Sequence, residues 1–172
     1  MPPGNWESLY ETVDEFLRPM SERDPDDNII GLMGLSLNQD WAHRLTVGGR
    51  AFRTWCAWDT LFLPTMLGEE VMVESDSPVS GETVRLAVAP DGVRSISSED
   101  AVVSIATLDP EVHDLSSVEA IWGNFCHQVF FFPAMDEASE WAAGKSNIQL
   151  VSVADGFEVG RMAFSELREY AK

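Results

Sequence analysis

Apolar residues recur at helical spacing at Leu9, Tyr10, Val13, Phe16 and Leu17, behind an Asn5 suited to cap a helix and ahead of Pro19, which ends it. This predicts an amphipathic helix. The polar run from Ser21 to Asn28 reads as a loop, and Ile29 to Leu37 as a strand whose Gly31 and Gly34 mark a bend or a close backbone approach. Gly48-Gly49 between His43 to Val47 and Arg50 to Arg53 is a hairpin signature. From Trp55 to Leu67 the chain is apolar nearly all round, which predicts a buried helix starting near Thr54, with Cys56 in its first turn and a break or kink near Pro64.

Strands are expected at Glu70 to Glu74, Glu82 to Ala89 and Val93 to Ser97, and Ala101 to Thr107 is a β-branched run fit for a central strand. Ser116 and Ser117 can start a short helix through Trp122; Cys126 to Phe132 then reads as a strand ended by Pro133. A helix from Asp136 to Ala143, a strand from Ile148 to Val153 and a helix from Asp155 to about Tyr170 complete the pattern. Strands interleaved with helices, several of them hairpin-joined, predict an α+β domain on a mixed, largely antiparallel sheet with flanking helices. One compact unit is expected, with residues 1–25 as an N-terminal helix and loop ahead of a main domain over 26–172.

Charge narrows the partners. A formal net charge of −18, from 29 acids against 11 Lys and Arg, repels phosphate backbones and anionic lipid alike, so neither nucleic acid nor membrane is an expected partner. The start of the chain carries neither a basic region nor an apolar run, and the expected location is the cytoplasm. There thiols stay reduced, and two isolated cysteines are reactive, metal-binding or simply buried rather than joined.

Both cysteines, Cys56 and Cys126, sit in apolar segments, and Asp59 follows Cys56 by three residues, on the same face of a helix. Taken singly, a buried cysteine is usually a small hydrophobe and an acid at a helix start a favourable partner for the dipole. An acid beside Leu61-Phe62-Leu63 is nevertheless costly to bury without a purpose or a partner. His127 next to Cys126 reads as a surface or satisfied histidine, since on a strand it would face away from Cys126.

Trp55-Cys56-Ala57-Trp58-Asp59-Thr60-Leu61, and Phe125-Cys126 running into Val129 and Phe131-Phe132, resemble the two active-site segments of the organomercurial (alkylmercury) lyases. Asn28-Ile29-Ile30-Gly31, Gly34-Leu35-Ser36-Leu37, Pro90-Asp91-Gly92-Val93, Val102-Val103-Ser104 and Phe157-Glu158-Val159-Gly160 fall in the same family's order. The resemblance implies an alkylmercury-lyase-like fold with a shortened N-terminal helical region. It also implies an enzyme that cleaves a carbon–mercury bond by protonolysis to a hydrocarbon and Hg(II), without an organic cofactor. Cys56 and Cys126 would hold mercury and Asp59 would shuttle the proton. The implied partners are a small organomercurial substrate and, as acceptor of Hg(II), cellular thiols or mercuric reductase. Two other readings stay open on the residues: a lyase-fold enzyme turned to another substrate, and a non-catalytic dithiolate binder of soft metals. Ser77 stands where the family often has a further cysteine, and Trp58 where leucine is common.

The shared-metal chemistry makes a geometric demand. Two sulfurs ligating one ion through bonds of about 2.3 Å can be no more than about 5 Å apart. An Asp59 oxygen should then lie within about 4–5 Å of either sulfur, facing a cavity lined by apolar groups.

Overall fold

The computed structural model describes residues 6–109 and 111–170, so the Asn5 cap lies outside the described residues. The first helix, α1 (Trp6–Leu17), passes through a single 3-10 turn into β1 (Ser21–Arg23). Its apolar positions Leu9, Tyr10, Val13 and Phe16 are exposed. Asp14 ties it to the strand through Arg23 at 2.6 Å and to the intervening turn through Arg18 at 2.8 Å.

Strands β2 (Ile29–Leu32), β3 (Leu35–Ser36), β4 (His43–Val47) and β5 (Arg50–Thr54) follow. Helix α2 (Asp59–Leu67) then leads into β6 (Val71–Asp76), β7 (Thr83–Ala89) and β8 (Gly92–Ile96). Together the strands form an eight-stranded sheet in the order β1-β2-β3-β5-β4-β6-β7-β8. The remaining elements are β9 (Val102–Ala106), α3 (Val118–Asn124), β10 (Phe131–Phe132), α4 (Met135–Ala142), β11 (Ile148–Ser152) and α5 (Val153–Tyr170). Here a second sheet, β10-β9-β11, has the β-branched run of β9 at its centre, as its composition predicts. The fold is α+β, and the strands pair antiparallel throughout both sheets.

Two stretches ahead of β4 depart from the polarity pattern. Ile29 to Leu37 is two short strands rather than one, because Met33 (φ 49°) and Gly34 (φ 94°) turn the chain back on itself. Polar Ser21 to Arg23 is a strand, not a loop, because the Glu22 side chain points inward to a set of donors. Its carboxylate accepts from Ser36 Oγ (2.5 Å), Asn38 Nδ2 (2.9 Å), Trp41 Nε1 (3.0 Å) and Trp55 Nε1 (2.9 Å). Alternation of polar and apolar residues cannot reveal a buried acid whose partners are up to 33 positions away.

Helix α2 is the core's central element. Residues 59 to 65 are all buried, and it packs against α5 and against β6 and β7. Burying Leu61, Phe62 and Leu63 is worth about 1.5–3 kcal/mol each. The helix runs through Pro64 instead of breaking there and ends at Gly68, whose φ of 73° gives the left-handed cap. Phe62 stacks on Phe164 of α5 at 4.5 Å, and Trp58 donates to the Gly156 carbonyl at 2.9 Å. Two glycines of α5 let it close on α2 and the second sheet: a Cβ on Gly160 would meet Phe62 at 2.9 Å, and one on Gly156 would meet Leu61 of α2 at 3.0 Å and Val103 of β9 at 2.7 Å.

The Glu22 cluster can be tested directly. Burial alone would raise the Glu22 pKa, but the bonds from Ser36, Asn38, Trp55 and Trp41 outweigh it and hold the carboxyl below 4.5. A lowered folded-state value means that its contribution is present above the unfolded pKa and lost as pH falls through the folded one. Glu22→Ala should cost about 2–4 kcal/mol in urea denaturation at neutral pH, by stranding several donors. Glu22→Gln should flatten part of the acid limb of the stability curve.

Candidate active site

Three backbone segments converge on one spot. Strand β5 ends at Thr54, and the next four residues form a tight turn before α2 rather than the helix's first turn. In that turn the Thr54 hydroxyl donates to the Cys56 carbonyl at 2.9 Å, and Thr60 N and Leu61 N donate to the Ala57 and Trp58 carbonyls. Cys56 therefore precedes the helix, and Asp59 takes the first-turn position expected for the cysteine. The reason lies in the Asp59 side chain, which reaches back and accepts the Cys56 backbone N–H at 2.8 Å, closing the turn. Deprived of the helix N-terminus, the Cys56 thiol does not gain the dipole's help in ionising.

The second segment carries Cys126. It opens a single 3-10 turn, Cys126–Gln128, between α3 and β10 rather than starting a strand. Only Phe131 and Phe132 pair with β9. Buried Ser104 of β9 holds the approach: its hydroxyl donates to the Gln128 carbonyl at 2.8 Å and accepts the Phe130 N–H at 2.9 Å. One backbone bond, Ala57 N–H to the Val129 carbonyl at 3.2 Å, then fastens this segment to the Cys56 turn. The third segment is the β2–β3 turn, where the Gly34 carbonyl accepts the Trp55 N–H at 3.0 Å.

These links bring Cys56, Asp59 and Cys126 together. Both sulfurs and a carboxylate oxygen lie within 4.8 Å of one another. Among the described residues this is the one group of three or more His, Cys, Asp or Glu side chains so arranged. Cys56 is fully buried, and Cys126 and Asp59 are 3% and 6% exposed. None of the three cavities described opens onto the cluster. An apolar one of about 440 Å³, between Ile30, Leu35, Phe52, Leu63 and Met66, lies along the same turn and helix without reaching the thiols. Trp58, one residue from Asp59, meets Phe125, one residue from Cys126, edge to face at 5.8 Å. His127 is exposed and faces Trp41 at 5.9 Å between ring centres. Ser77 bonds Glu137 and is not part of the site.

Electrostatics follow from dryness. Burial raises the Asp59 pKa to about 7, against the opposing effect of the Cys56 N–H and thiol. Burial also pushes the Cys56 thiol well above its usual value, helped by its hydrogen bond with Cys126 and by the negative charge of Asp59. At neutral pH the Cys56 thiol is therefore protonated, beside a carboxyl poised to take up or release a proton.

The raised Asp59 pKa has a stability consequence of defined sign. A carboxyl that holds its proton more tightly folded than unfolded stabilises at low pH, and that stability is lost as pH rises from near 4 through about 7. The distance from the ordinary 3.8 corresponds to on the order of 4 kcal/mol. Stability measured against pH between 4 and 8 should fall more steeply for the wild type than for Asp59→Asn, which has no proton to lose.

Comparison with known proteins converges on one family. The alkylmercury lyase family model matches residues 36–165. The alkylmercury lyase of Bacillus cereus is 37% identical over 151 residues, covering 88% of this chain and 65% of its own length. That of Pseudomonas putida is 35% identical over 153 residues, covering 88% and 67%. That of Streptomyces lividans is 37% identical over 143 residues, covering 83% and 62%. The chain thus spans about two thirds of the length of the curated relatives it matches. The crystal structure of the mercury-bound form of MerB2 shares the fold, with a TM-score of 0.75 over 92% of this chain and 75% of that one at 23% identity. With one family model spanning most of the sequence and curated relatives agreeing with it, the chain belongs to the alkylmercury lyase family.

Proposed function

We propose that this protein is an organomercurial lyase, in which Cys56 and Cys126 take mercury as a shared substrate atom and Asp59 moves the proton. The observation that carries the reading is the buried thiol–carboxylate–thiol cluster within 4.8 Å. Soft, thiophilic mercury suits two sulfurs. Simple dithiolate storage needs no acid, and a carboxyl with a pKa near 7 in dry surroundings is suited to general acid–base work at neutral pH.

The steps balance as follows. An organomercurial arriving as its thiol adduct exchanges that thiol for one cysteine, whose proton leaves with the displaced thiol. The second cysteine then bonds to mercury, and its proton passes to the Asp59 carboxylate. Two electron-rich sulfurs on one mercury push charge toward the carbon. Asp59 returns its proton to that carbon, which takes both electrons of the carbon–mercury bond and departs as hydrocarbon. Hg(II) remains on two thiolates and Asp59 is again a carboxylate. No organic cofactor enters this sequence. Because the Cys56 thiol is protonated until the substrate arrives, mercury's affinity for sulfur supplies the drive to ionise it. External thiols, or the cysteine pair of a mercuric reductase, would take the bound Hg(II). A reducing cytoplasm suits both the free cysteines and that exchange.

Reduced protein with excess thiol should release benzene from phenylmercury and methane from methylmercury, followed by gas chromatography. No release from either would end the reading. Cys56→Ser and Cys126→Ser should each lower turnover by about 100-fold or more, since a hard hydroxyl is a poor ligand for a soft metal. Asp59→Ala should retain Hg(II) binding at one per chain while slowing hydrocarbon release by about 100-fold.

A further inference from the structure

We propose that Gly34 is a positioning residue for Asp59, its bare Cα serving as the wall that fixes the plane of the proton-carrying carboxylate. The proposal deepens the lyase reading and rests on it for the role of Asp59. Gly34 sits at the tip of the β2–β3 turn, 25 positions before the acid in sequence, and its φ of 94° belongs to the left-handed region that side chains disfavour.

The contact is unlike that at the other turn glycines. A Cβ placed on Gly34 would lie 2.5 Å from Asp59 Cγ, 2.8 Å from Oδ1 and 2.9 Å from Oδ2. With carbon–oxygen bonds of about 1.23 Å, a point above the centre of a carboxylate plane at that height is about 2.8 Å from both oxygens. The missing Cβ therefore points at the face of the carboxylate, along its normal. Gly48 has only a distant neighbour at 3.8 Å, and a Cβ on Gly49, Gly68, Gly81 or Gly144 would meet nothing within 4 Å, although all five also have positive φ. Turn geometry explains a glycine at each of them. Only at Gly34 does the space taken by a Cβ belong to the acid.

Face-on contact has a directional effect. It blocks the carboxylate from tipping out of its plane and leaves both oxygens free at the edge. There Oδ2 accepts the Cys56 N–H at 2.8 Å, and a carboxylate oxygen stays within 4.8 Å of both sulfurs. Neither partner can retreat without loss. Moving the turn breaks the bond from Trp55 N–H to the Gly34 carbonyl, and rotating Asp59 breaks the bond from Cys56 N–H. Thus one glycine both holds the strand that leads to Cys56 and sets the orientation of the acid.

The test compares Gly34→Ala with Gly49→Ala, which takes a side chain at a similar positive φ with nothing nearby. Each is made in the wild type and in Asp59→Ala. Measured are kcat and KM for hydrocarbon release from phenylmercury, Hg(II) stoichiometry, the kcat pH profile and the urea midpoint. Gly34→Ala should lower kcat at least about tenfold, as a displacement near 1 Å can. KM and one bound Hg(II) per chain should be kept. The limb of the pH profile set by Asp59 should move toward the ordinary carboxylate range, and Gly49→Ala should leave kcat and that limb unchanged. The midpoint lost to Gly34→Ala should shrink by about half or more when Asp59 is already alanine, because the clash has gone. An unchanged kcat and pH limb in folded Gly34→Ala would overturn the proposal. So would equal destabilisation, or failure to fold, in both backgrounds, since the effect would then be backbone strain alone. If the wild type releases no hydrocarbon, the lyase reading fails, while the midpoint comparison still decides whether Gly34 positions Asp59.

Discussion

A carboxylate buried beside two thiols is costly, and the surrounding architecture is arranged to hold it there. Asp59 is nearly sealed, and the hydrogen bond it accepts from Cys56 N–H is a short-range one that closes the turn on which both groups sit. Such a bond does not repay the loss of water for a full negative charge, so the acid keeps its proton up to about pH 7. The same dryness keeps the Cys56 thiol protonated. Proton position and solvent exclusion are thus one property of the fold.

What maintains that dryness is long-range pairing. The Cys56 turn is held to the β2–β3 turn through Gly34 and to the Cys126 segment through Val129, and the latter is fixed in turn by Ser104 of the second sheet. Each sheet therefore contributes one wall, with α2 and α5 packed against them. Glu22 extends the arrangement outward: its bond to the Trp55 indole, next to Cys56, anchors the turn to the edge strand β1. Few of these links are strong alone, at about 0.5–1.5 kcal/mol net for a neutral hydrogen bond. They act together because each immobilises a segment adjoining one of the three clustered side chains.

Much of this was legible in the sequence. Helical spacing found α1, an all-round apolar run found α2, a β-branched run found β9, and the flanks of Cys56 and Cys126 carried the family resemblance. Failures fell where side chains override local pattern. Asp59 capturing the Cys56 N–H shifted the helix start by several residues, and Ser104 holding Gln128 and Phe130 kept Cys126 to Val129 from pairing as a strand. Gly34 could be read as a bend or a close approach, but its neighbour could not be named, because nothing local links a turn glycine to an acid 25 residues on. Polar Glu22 fell in a stretch read as a loop for the same reason.

The central claim is that Cys56 and Cys126 ligate one mercury atom while Asp59 supplies the proton to its carbon. X-ray absorption at the mercury edge, on protein quenched after one turnover with phenylmercury, tests it most directly. The account predicts two sulfur neighbours and no carbon neighbour per mercury, with one sulfur and a retained carbon in Cys126→Ser. A wild-type spectrum with a single sulfur and an intact mercury–carbon bond would contradict it.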